Sequence, residues 1–310
     1  MIDSEQLCEE FVKENQDLKE KHDNYNNQIM HNNIYAAIGF VFVAIDLILV
    51  FTKNFNLYFA IVVAVLGLFL ILKSINENVN SLKKQKEYEE LYTSRISSFI
   101  INKYFDDSTC YEGIAFDSLS KFDKANYDKD ADKVLDKRHL SIKYKDYKIA
   151  VMEIIAAQQD IVNVQEDGDV KTDVSYVFEG LFNEFKLKHS VGTRISITDP
   201  YGKNRMNCKE LLEMDYSKFE KEFDVYTNDK VKAMEFLTVD VLVKLEEIHR
   251  NSKLGFDILI DNDTVYIRIP VHKKMFEMSY ELVNKEAVER DNENIYLLKE
   301  IIDALIVSDN

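Results

Sequence analysis

Two long apolar runs lie close together near the start of this chain, and they constrain its fold more than any other feature. The first covers residues 34–51 and the second residues 57–72, with only residues 52–56 between them. A helix needs about 20 apolar residues to cross a bilayer, with a range of roughly 17 to 25. Neither run has the polar stripe of a helix packed on a soluble core, and the late start argues against a cleaved signal peptide. The sequence therefore predicts a transmembrane helical hairpin over residues 34–72.

The basic residues around the hairpin predict its orientation. The short connection offers Lys53 alone, whereas both flanks carry several lysines: Lys19, Lys21, Lys73, Lys83, Lys84 and Lys86. Loops rich in Lys and Arg stay on the cytoplasmic side of a membrane. We therefore expect a two-pass protein of the cell membrane with both termini in the cytoplasm.

Asp46 is the one charged residue inside the first apolar run. An ionisable side chain at membrane depth suggests a proton or ion relay, or a contact between helices. The second run contains no basic residue that could pair with it. A protonated side chain with a packing role, such as stabilising an oligomer, is the simpler interpretation, and we favour it over transport.

The pattern outside the hairpin predicts four segments. Residues 1–33 are expected to form a cytoplasmic helix, residues 34–72 the hairpin, residues 73–104 a helical stalk, and residues 105–310 a cytoplasmic α+β domain. Within the last segment, strand-like patterns fall at residues 140–144, 147–156, 176–187, 193–198, 256–260 and 264–269. Helical patterns fall at residues 230–248 and 284–305. Short turns such as Lys145-Asp146 join neighbouring strands, so the predicted sheet is mainly antiparallel with packed helices.

Composition and motifs exclude several classes of function. The net charge of -16 is unfavourable for binding phosphate backbones, so no nucleic-acid partner is expected. The three cysteines are far apart and the six histidines show no ligand spacing, so neither a metal nor a cofactor is predicted. The run Asp128-x-Asp130-x-Asp132 begins like a calcium loop. It has Lys133 where glycine is required and His139 where glutamate is required, so calcium binding is not expected.

Part of the chain resembles a bacterial family known only as a domain of unknown function. The strand V-F-E-G-L-F at residues 177–182 is similar to that family's V-F-x-G-L-F, and residues 219–229 are similar to its F-x-x-x-F-x-V-Y-x-x-D segment. Leu237-Thr238 and the strand pair at 256–269 also match its pattern, with Val265 where leucine is more usual. The resemblance implies two membrane helices ahead of a soluble domain. It implies no established reaction, so it supplies no catalytic residue.

The functional hypothesis follows from the anchor and from the lack of catalytic signatures. We expect a binding or scaffold domain that engages a protein partner at the inner membrane face, with the bilayer and self-association as its other contacts. The alternative is a membrane-proximal enzyme with a carboxylate-rich, possibly metal-dependent site; we favour the binding module over it. The residues singled out as ligand or partner candidates are Gly180, Tyr226, Asp229 and Thr238. Gly180 inside a strand indicates a bulge, or the close approach of a backbone or ligand, and Asp229 is placed to cap the helix that begins at Lys230.

Overall fold

The computed structural model describes most of the chain. The described residues are 1–51, 57–111, 121–122, 131, 133–164, 170–200, 207–252, 254–271, 275–276 and 282–309. The acidic run at 128–132 and the connection between the two apolar runs lie outside these residues.

Three helices come first in the chain, and the strands follow, with further helices among and after the later strands. The helices are α1 (Ser4–Glu14), α2 (Gln16–Phe51), α3 (Leu57–Ile101), α4 (Phe219–Glu222), α5 (Lys230–Phe236), α6 (Val239–Asn251) and α7 (Lys285–Ile306). The strands are β1 (Asp107–Tyr111), β2 (Lys133–Tyr144), β3 (Tyr147–Val164), β4 (Val170–Lys186), β5 (Arg194–Thr198), β6 (Glu210–Leu211), β7 (Asp224–Thr227), β8 (Asp257–Asp261) and β9 (Thr264–Pro270). This order, helices first and then an antiparallel sheet with helices, confirms the predicted α+β class.

The chain divides into two compact units. The helical unit consists of Glu5–Ile96 together with Met278–Lys285. The sheet unit consists of Met1–Ser4, Ser97–Glu277 and Glu286–Asn310.

The long helices α2 and α3 approach each other closely in the helical unit, where each contributes a glycine. A Cβ atom built on Gly39 would lie 2.9 Å from the carbonyl oxygen of Gly67, and one on Gly67 would lie 3.1 Å from that of Gly39. Small residues let helix backbones meet in this way in membranes, where close packing replaces the hydrophobic effect. Just outside the two apolar runs, the Asn32 side chain of α2 donates a hydrogen bond to the Asn78 side chain of α3 at 3.1 Å. The pair is therefore held by close packing in the apolar part and by polar contacts next to it.

The apolar side chains of α2 and α3 are largely exposed. Only 11% of the most apolar window of α2 and 17% of that of α3 is buried. The exposed set includes Ile34, Ile38, Phe40, Val41, Ile45, Leu47, Ile61, Val65, Leu66, Leu68, Phe69 and Leu72. A hairpin in a soluble core would bury these side chains, whereas a hairpin in lipid must expose them. Both helices are long and apolar enough to cross a membrane.

Asp46 lies on α2 and is half-buried in the helical unit. Its Oδ1 atom is buried and has no hydrogen-bond partner among the residues described. An isolated carboxylate is costly in such surroundings unless it is neutral or paired. This position is compatible with the predicted packing or assembly role, which stays a prediction.

Outside the apolar runs, α1 packs with the first part of α2 and the last part of α3 in a small core. The helix expected over residues 1–33 is interrupted at Asn15, where α1 ends and α2 begins. Leu7, Phe11 and Leu18 are almost fully buried there. The Asp17 carboxylate pairs with Arg95 of α3 at 2.7 Å. Aromatic and aliphatic side chains therefore hold α1, α2 and α3 together outside the apolar run.

The sheet unit is built on one open antiparallel sheet. Among the residues described, nine strands lie in the order β1-β2-β3-β4-β9-β8-β5-β7-β6, and β6 is only two residues long. Alternate residues face opposite sides. Met152, Ile154, Phe182 and Leu259 share a buried cluster on one side, whereas Val151, Leu181 and Ile267 are buried on the other. Both faces of the central strands are therefore covered.

The predicted turns are present. Lys145 (φ 54°) and Asn262 (φ 58°) adopt the left-handed backbone that tight hairpins require. The strands β3 and β4 are longer than predicted and continue to pair up to Val164 and Val170. The single helix expected over residues 230–248 is wrong, because the chain forms α5 and α6 instead. The break falls at Leu237 and Thr238, whose ψ angles of 67° and 161° are not helical.

The exposure of the hairpin predicts how the chain fractionates. The full chain should stay in the membrane pellet after alkaline carbonate washing. The double substitution Phe40→Arg with Leu66→Arg places two charges among exposed apolar side chains, each costing about 2.5 to 3.5 kcal/mol at the centre of a spanning helix. It should therefore lower the pelleted fraction at least severalfold. The swap Phe40→Leu with Leu66→Phe is the matched control, and release of the unaltered chain by carbonate would contradict the assignment.

Candidate functional site

The residues predicted as ligand or partner candidates do not converge on one site. Gly180 lies on β4 and Tyr226 on β7, with β9, β8 and β5 between them in the sheet. At about 4.8 Å per strand, the two strands are roughly 19 Å apart. Tyr226 is in register with Glu184 and not with Gly180, so the two residues are farther apart than the strands. Asp229 caps the start of α5, and Thr238 precedes α6 without a capping hydrogen bond from its side chain.

Gly180 is needed because the end of β9 comes very close to β4. A Cβ atom at this position would lie 2.8 Å from the Val271 nitrogen, and closer still to the carbonyl oxygen of Ile269. The bulge that the sequence suggested lies three residues earlier, where Tyr176 and Phe178 pair with consecutive residues of β3 and leave Val177 as the extra residue. Of the alternatives considered for Gly180, the structure shows the close backbone approach.

The other three candidates contact different partners. The Asp229 carboxylate accepts hydrogen bonds from the backbone nitrogens of Val231 at 3.1 Å and Lys232 at 3.3 Å, so the predicted cap is present. The Tyr226 hydroxyl lies 3.4 Å from the Asp224 carboxylate on the same strand. The Thr238 hydroxyl lies 3.5 Å from that of Ser308, which places the start of α6 beside the end of α7.

A groove of about 800 Å³ opens within the sheet unit, between α6 and α7. Its α6 wall consists of Lys244, Glu247, Ile248 and Asn251, which repeat every three or four residues and so share one side of the helix. Its α7 wall consists of Glu293, Tyr296, Leu297, Glu300, Asp303 and Ala304, which are spaced in the same way. The buried side of α7, which includes Ile295, Leu298, Ile302 and Leu305, is a separate stripe. The helix therefore has two faces, one for the core and one for the groove.

The groove combines an apolar floor with a charged rim. Leu297 and Ala304 are almost fully buried at its base, and Ile248, Leu254 and Val307 add apolar surface. Recognition sites in proteins usually have this composition, with apolar area for affinity and a few polar groups for orientation.

Asp303 is the most highly bonded acid in the groove. Its carboxylate accepts hydrogen bonds from the Tyr144 hydroxyl at 2.9 Å, the Lys145 amine at 2.9 Å and the Lys299 amine at 2.6 Å. Burial opposes the negative charge, but the bonds from the two lysines and the tyrosine outweigh it and lower the pKa of Asp303. Its charge is therefore already compensated, and it serves to join α7 to the turn between β2 and β3.

The first residues of the chain form a further wall of the groove. Met1 lines it, and Ile2 is fixed by a small polar network. The Ile2 amide donates to the Tyr104 hydroxyl at 3.0 Å, this hydroxyl donates to the Asn292 side chain at 2.6 Å, and Asn292 donates back to the Ile2 carbonyl at 2.9 Å. Each of the three residues both donates and accepts, so the position of Met1 is tied to α7.

Two buried carboxylates lie near the start of α7 and hold one turn of the chain. The Phe276 amide donates to Asp291 at 2.7 Å, and the Met275 amide donates to Glu153 at 3.0 Å. Phe276 has a φ of 51°, which is uncommon outside glycine. Burial raises the pKa of Asp291 to about 6, against the opposing effect of Arg290. Both acids therefore hold the backbone of this turn.

In the part of the chain that the structure describes, no group of three or more His, Cys, Asp and Glu side chains is placed to hold a metal ion. Several of the charged groups form pairs instead. Arg194 pairs with Asp261 at 2.7 Å, His249 with Glu222 at 3.0 Å, and Lys121 with Glu184 at 2.8 Å.

Part of the sheet unit is similar to a known protein family. Residues 176–306 match the family described as "Protein of unknown function (DUF3137)". This confirms the predicted resemblance to a family of unknown function. The DUF3137 match contains both helical walls of the groove, while Met1, Lys145 and Val307 lie outside it.

Two further comparisons add little. No curated protein matches the chain. A solved structure, that of the mycobacterial trehalose monomycolate transport factor A, is similar over 50% of this chain and 75% of its own, at 10% sequence identity and a TM-score of 0.27. A likeness at that TM-score supports no conclusion about this chain.

The groove itself was not anticipated from the sequence. The apolar stripe of α7 was recognised, but Tyr296, Leu297 and Ala304 on its other wall were not. Their recurrence at helical spacing beside Glu293 and Glu300 was the available signal. An amphipathic helix with apolar residues on more than one stripe has more surface than one core contact uses.

Asp291 should make stability depend on pH in a recognisable way. A carboxyl with a folded pKa of about 6 and an unfolded pKa near 3.9 keeps its proton in the folded state between these values, so ionisation as the pH rises destabilises the fold. Asp291→Asn stays neutral. Its free energy of unfolding relative to the unaltered chain should therefore increase by about 1 kcal/mol between pH 5 and pH 7.5.

Urea unfolding followed by circular dichroism at several pH values would measure this difference. Glu289→Gln removes an exposed carboxylate from the same helix and is the control. A difference between Asp291→Asn and the unaltered chain that stays constant with pH would contradict the assignment.

Proposed function

We propose that this chain is a membrane-anchored cytoplasmic module that binds a protein partner through the groove between α6 and α7. The observation that carries the proposal is the groove, an apolar floor with a charged rim whose two helical walls lie in the region that matches the DUF3137 family. The anchor is the exposed apolar surface of α2 and α3. The lysines on both flanks of the hairpin support a cytoplasmic location for the sheet unit.

The shape of the groove favours a macromolecular partner. Its α7 wall runs from Glu293 to Val307, a distance of about 21 Å at 1.5 Å per residue. An open groove of this length, walled by two helices, is suited to a peptide segment laid along it. The proposal thus rests on a continuous surface and not on one reactive group.

The carboxylates favour binding over the alternative of a carboxylate-rich enzyme. A catalytic acid or base must reach the substrate with a proton to give or accept. Asp303 instead accepts three hydrogen bonds from this chain, and Asp291 and Glu153 accept backbone amides. The best-defined acids are already used to hold the fold.

Loss of the groove's apolar surface should abolish partner capture. The double substitution Ile248→Gln with Val307→Gln makes two walls of the groove polar without changing charge. Chemical cross-linking in native membranes, followed by purification of the full chain, should recover a stoichiometric partner with the unaltered chain. At least a fivefold lower yield is expected with the double variant.

Val239→Gln is the matched control, because Val239 is 68% exposed at the start of α6 and does not line the groove. The control should capture the partner at the normal level. Recovery of no protein other than this chain, or equal recovery with the double variant, would contradict the proposal.

The proposed orientation makes a separate prediction. Ser217 is exposed in the sheet unit, so Ser217→Cys should react with a membrane-impermeant maleimide only when the cytoplasmic face is accessible. We expect labelling in inverted vesicles and little in intact cells. The unaltered chain, with Cys8, Cys110 and Cys208 in place, gives the background. Strong labelling of Ser217→Cys in intact cells would place the sheet unit outside.

A further inference from the structure

We infer that two copies of this chain pair in the membrane through Asp46, whose neutral carboxyl group exchanges hydrogen bonds with Asp46 of the second copy. The inference concerns the hairpin and not the groove, so it is independent of the binding site proposed above. It rests on the missing partner of Asp46 within its own chain, the direction of its side chain, its half-exposed position, and the self-complementary chemistry of a protonated carboxyl group.

Asp46 has no partner of its own among the residues that the structure describes. Its Oδ1 atom is buried without a hydrogen bond. The two apolar runs, residues 34–51 and 57–72, contain no Lys, Arg or His that could act as a counter-ion. Hydrocarbon offers neither a hydrogen bond nor a counter-ion, so a carboxyl group at this depth needs a partner from another chain.

The direction of the Asp46 side chain keeps it away from water. Asp46 lies five residues before the end of α2 at Phe51, which is about 7.5 Å at 1.5 Å per residue. Side chains on a helix lean toward its N-terminus. With the start of α2 on the cytoplasmic side, as proposed, Asp46 leans toward the middle of the bilayer and away from the nearer surface. Its proton therefore stays on, because an ionised carboxylate would lack both water and a cation.

Asp46 lies at the border between the α2–α3 contact and the lipid-facing surface. It follows Gly39 by about two turns, so it is on the side of α2 that meets α3. Its side chain is nevertheless only half-buried, and its neighbours Ile45 and Leu47 are 41% and 55% exposed. A second hairpin that packs on this border would reach the part of the carboxyl group that α3 leaves open.

A protonated carboxyl group is self-complementary, because it is both a donor and an acceptor. Two such groups satisfy each other when each O–H donates to an oxygen of the other. Two copies with the same topology carry Asp46 at the same depth, and a two-fold pairing uses the same surface of both. The second copy also requires no ionisation within the bilayer, which favours it over a partner helix that carries Lys or Arg.

Förster resonance energy transfer between full chains in phosphatidylcholine vesicles tests the pairing. Half of the chains carry a donor fluorescent protein at the C-terminus and half an acceptor, and dilution with lipid gives the dissociation constant of the pair. Asp46→Leu should raise this constant at least fivefold, because leucine cannot form a hydrogen bond. Asp46→Asn should stay within twofold of the unaltered chain, because an amide is also both donor and acceptor.

Ile48→Leu changes an exposed apolar side chain of the same helix and is the matched control. Lys53→Gln and Tyr58→Phe remove the polar groups of the hairpin that are nearest in sequence beyond α2, and they should leave pairing unchanged. Membrane pelleting of each variant confirms insertion. A monomeric unaltered chain, equal pairing of Asp46→Leu, or weak pairing of Asp46→Asn would overturn the inference. A loss with Lys53→Gln or Tyr58→Phe as large as with Asp46→Leu would also overturn it, because the carboxyl group would then have a partner in its own chain.

Native membranes distinguish the second copy from a basic partner helix. Chemical cross-linking there should recover pairs of this chain that Asp46→Leu loses and Asp46→Asn keeps. Recovery instead of another membrane protein that both substitutions release would overturn the inference, because only an ion pair is lost when Asp46 is replaced by a neutral amide. Ile248→Gln with Val307→Gln should leave the energy transfer unchanged, so this pairing and partner capture by the groove are tested separately.

Discussion

The structure of the sheet unit depends on how its last helix, α7, is fixed, and three aspartates do this. Asp291 near the start of the helix accepts the Phe276 amide, and Asp303 near its end accepts Tyr144 and Lys145. Asp309, just beyond the helix, accepts the Tyr147 hydroxyl at 2.7 Å and the backbone amides of two residues that follow β4. Apolar packing alone would hold α7 against the sheet without fixing its position along the sheet, because such packing is non-directional. Directional hydrogen bonds at three points provide that position.

The groove is a consequence of this fixation. Its α7 wall belongs to a helix that is bonded to the sheet, and its start is tied to Tyr104 through Asn292. The α6 wall begins beside Ser308, at the other end of α7. Walls held in this way lose little conformational freedom when a partner enters, so more of the contact energy remains as affinity. The bonds from Lys145 and Lys299 to Asp303 also fix charged groups on the rim, so the fixation of α7 shapes the charge of the groove as well as its form.

Features set by local chemistry could be predicted from the sequence. The two apolar runs have the length of spanning helices, the turns at Lys145-Asp146 and at residues 261–263 are short and polar, and Asp229 precedes a helix in the manner of a cap. The break at Leu237 and Thr238 was missed because neither residue is a glycine or proline, and the helical pattern continues across them. The groove was missed for a different reason: α6 and α7 are more than thirty residues apart in the chain, and no local pattern shows that they are neighbours. Gly180 was recognised as unusual, but its cause, the β9 backbone beside it, is also a distant contact.

Anchoring and weak binding belong together in the function proposed for this chain. A groove about 21 Å long that takes one peptide segment offers less contact area than a stable protein–protein interface, which buries roughly 1,200 to 2,000 Å². Confinement to a membrane surface raises the effective concentration of two proteins for each other, as a linker does for two domains. A partner held at the same membrane would then occupy the groove without high intrinsic affinity, and it could leave again quickly. For this reason the hairpin is part of the binding mechanism proposed here, because it supplies by confinement the affinity that the small groove lacks.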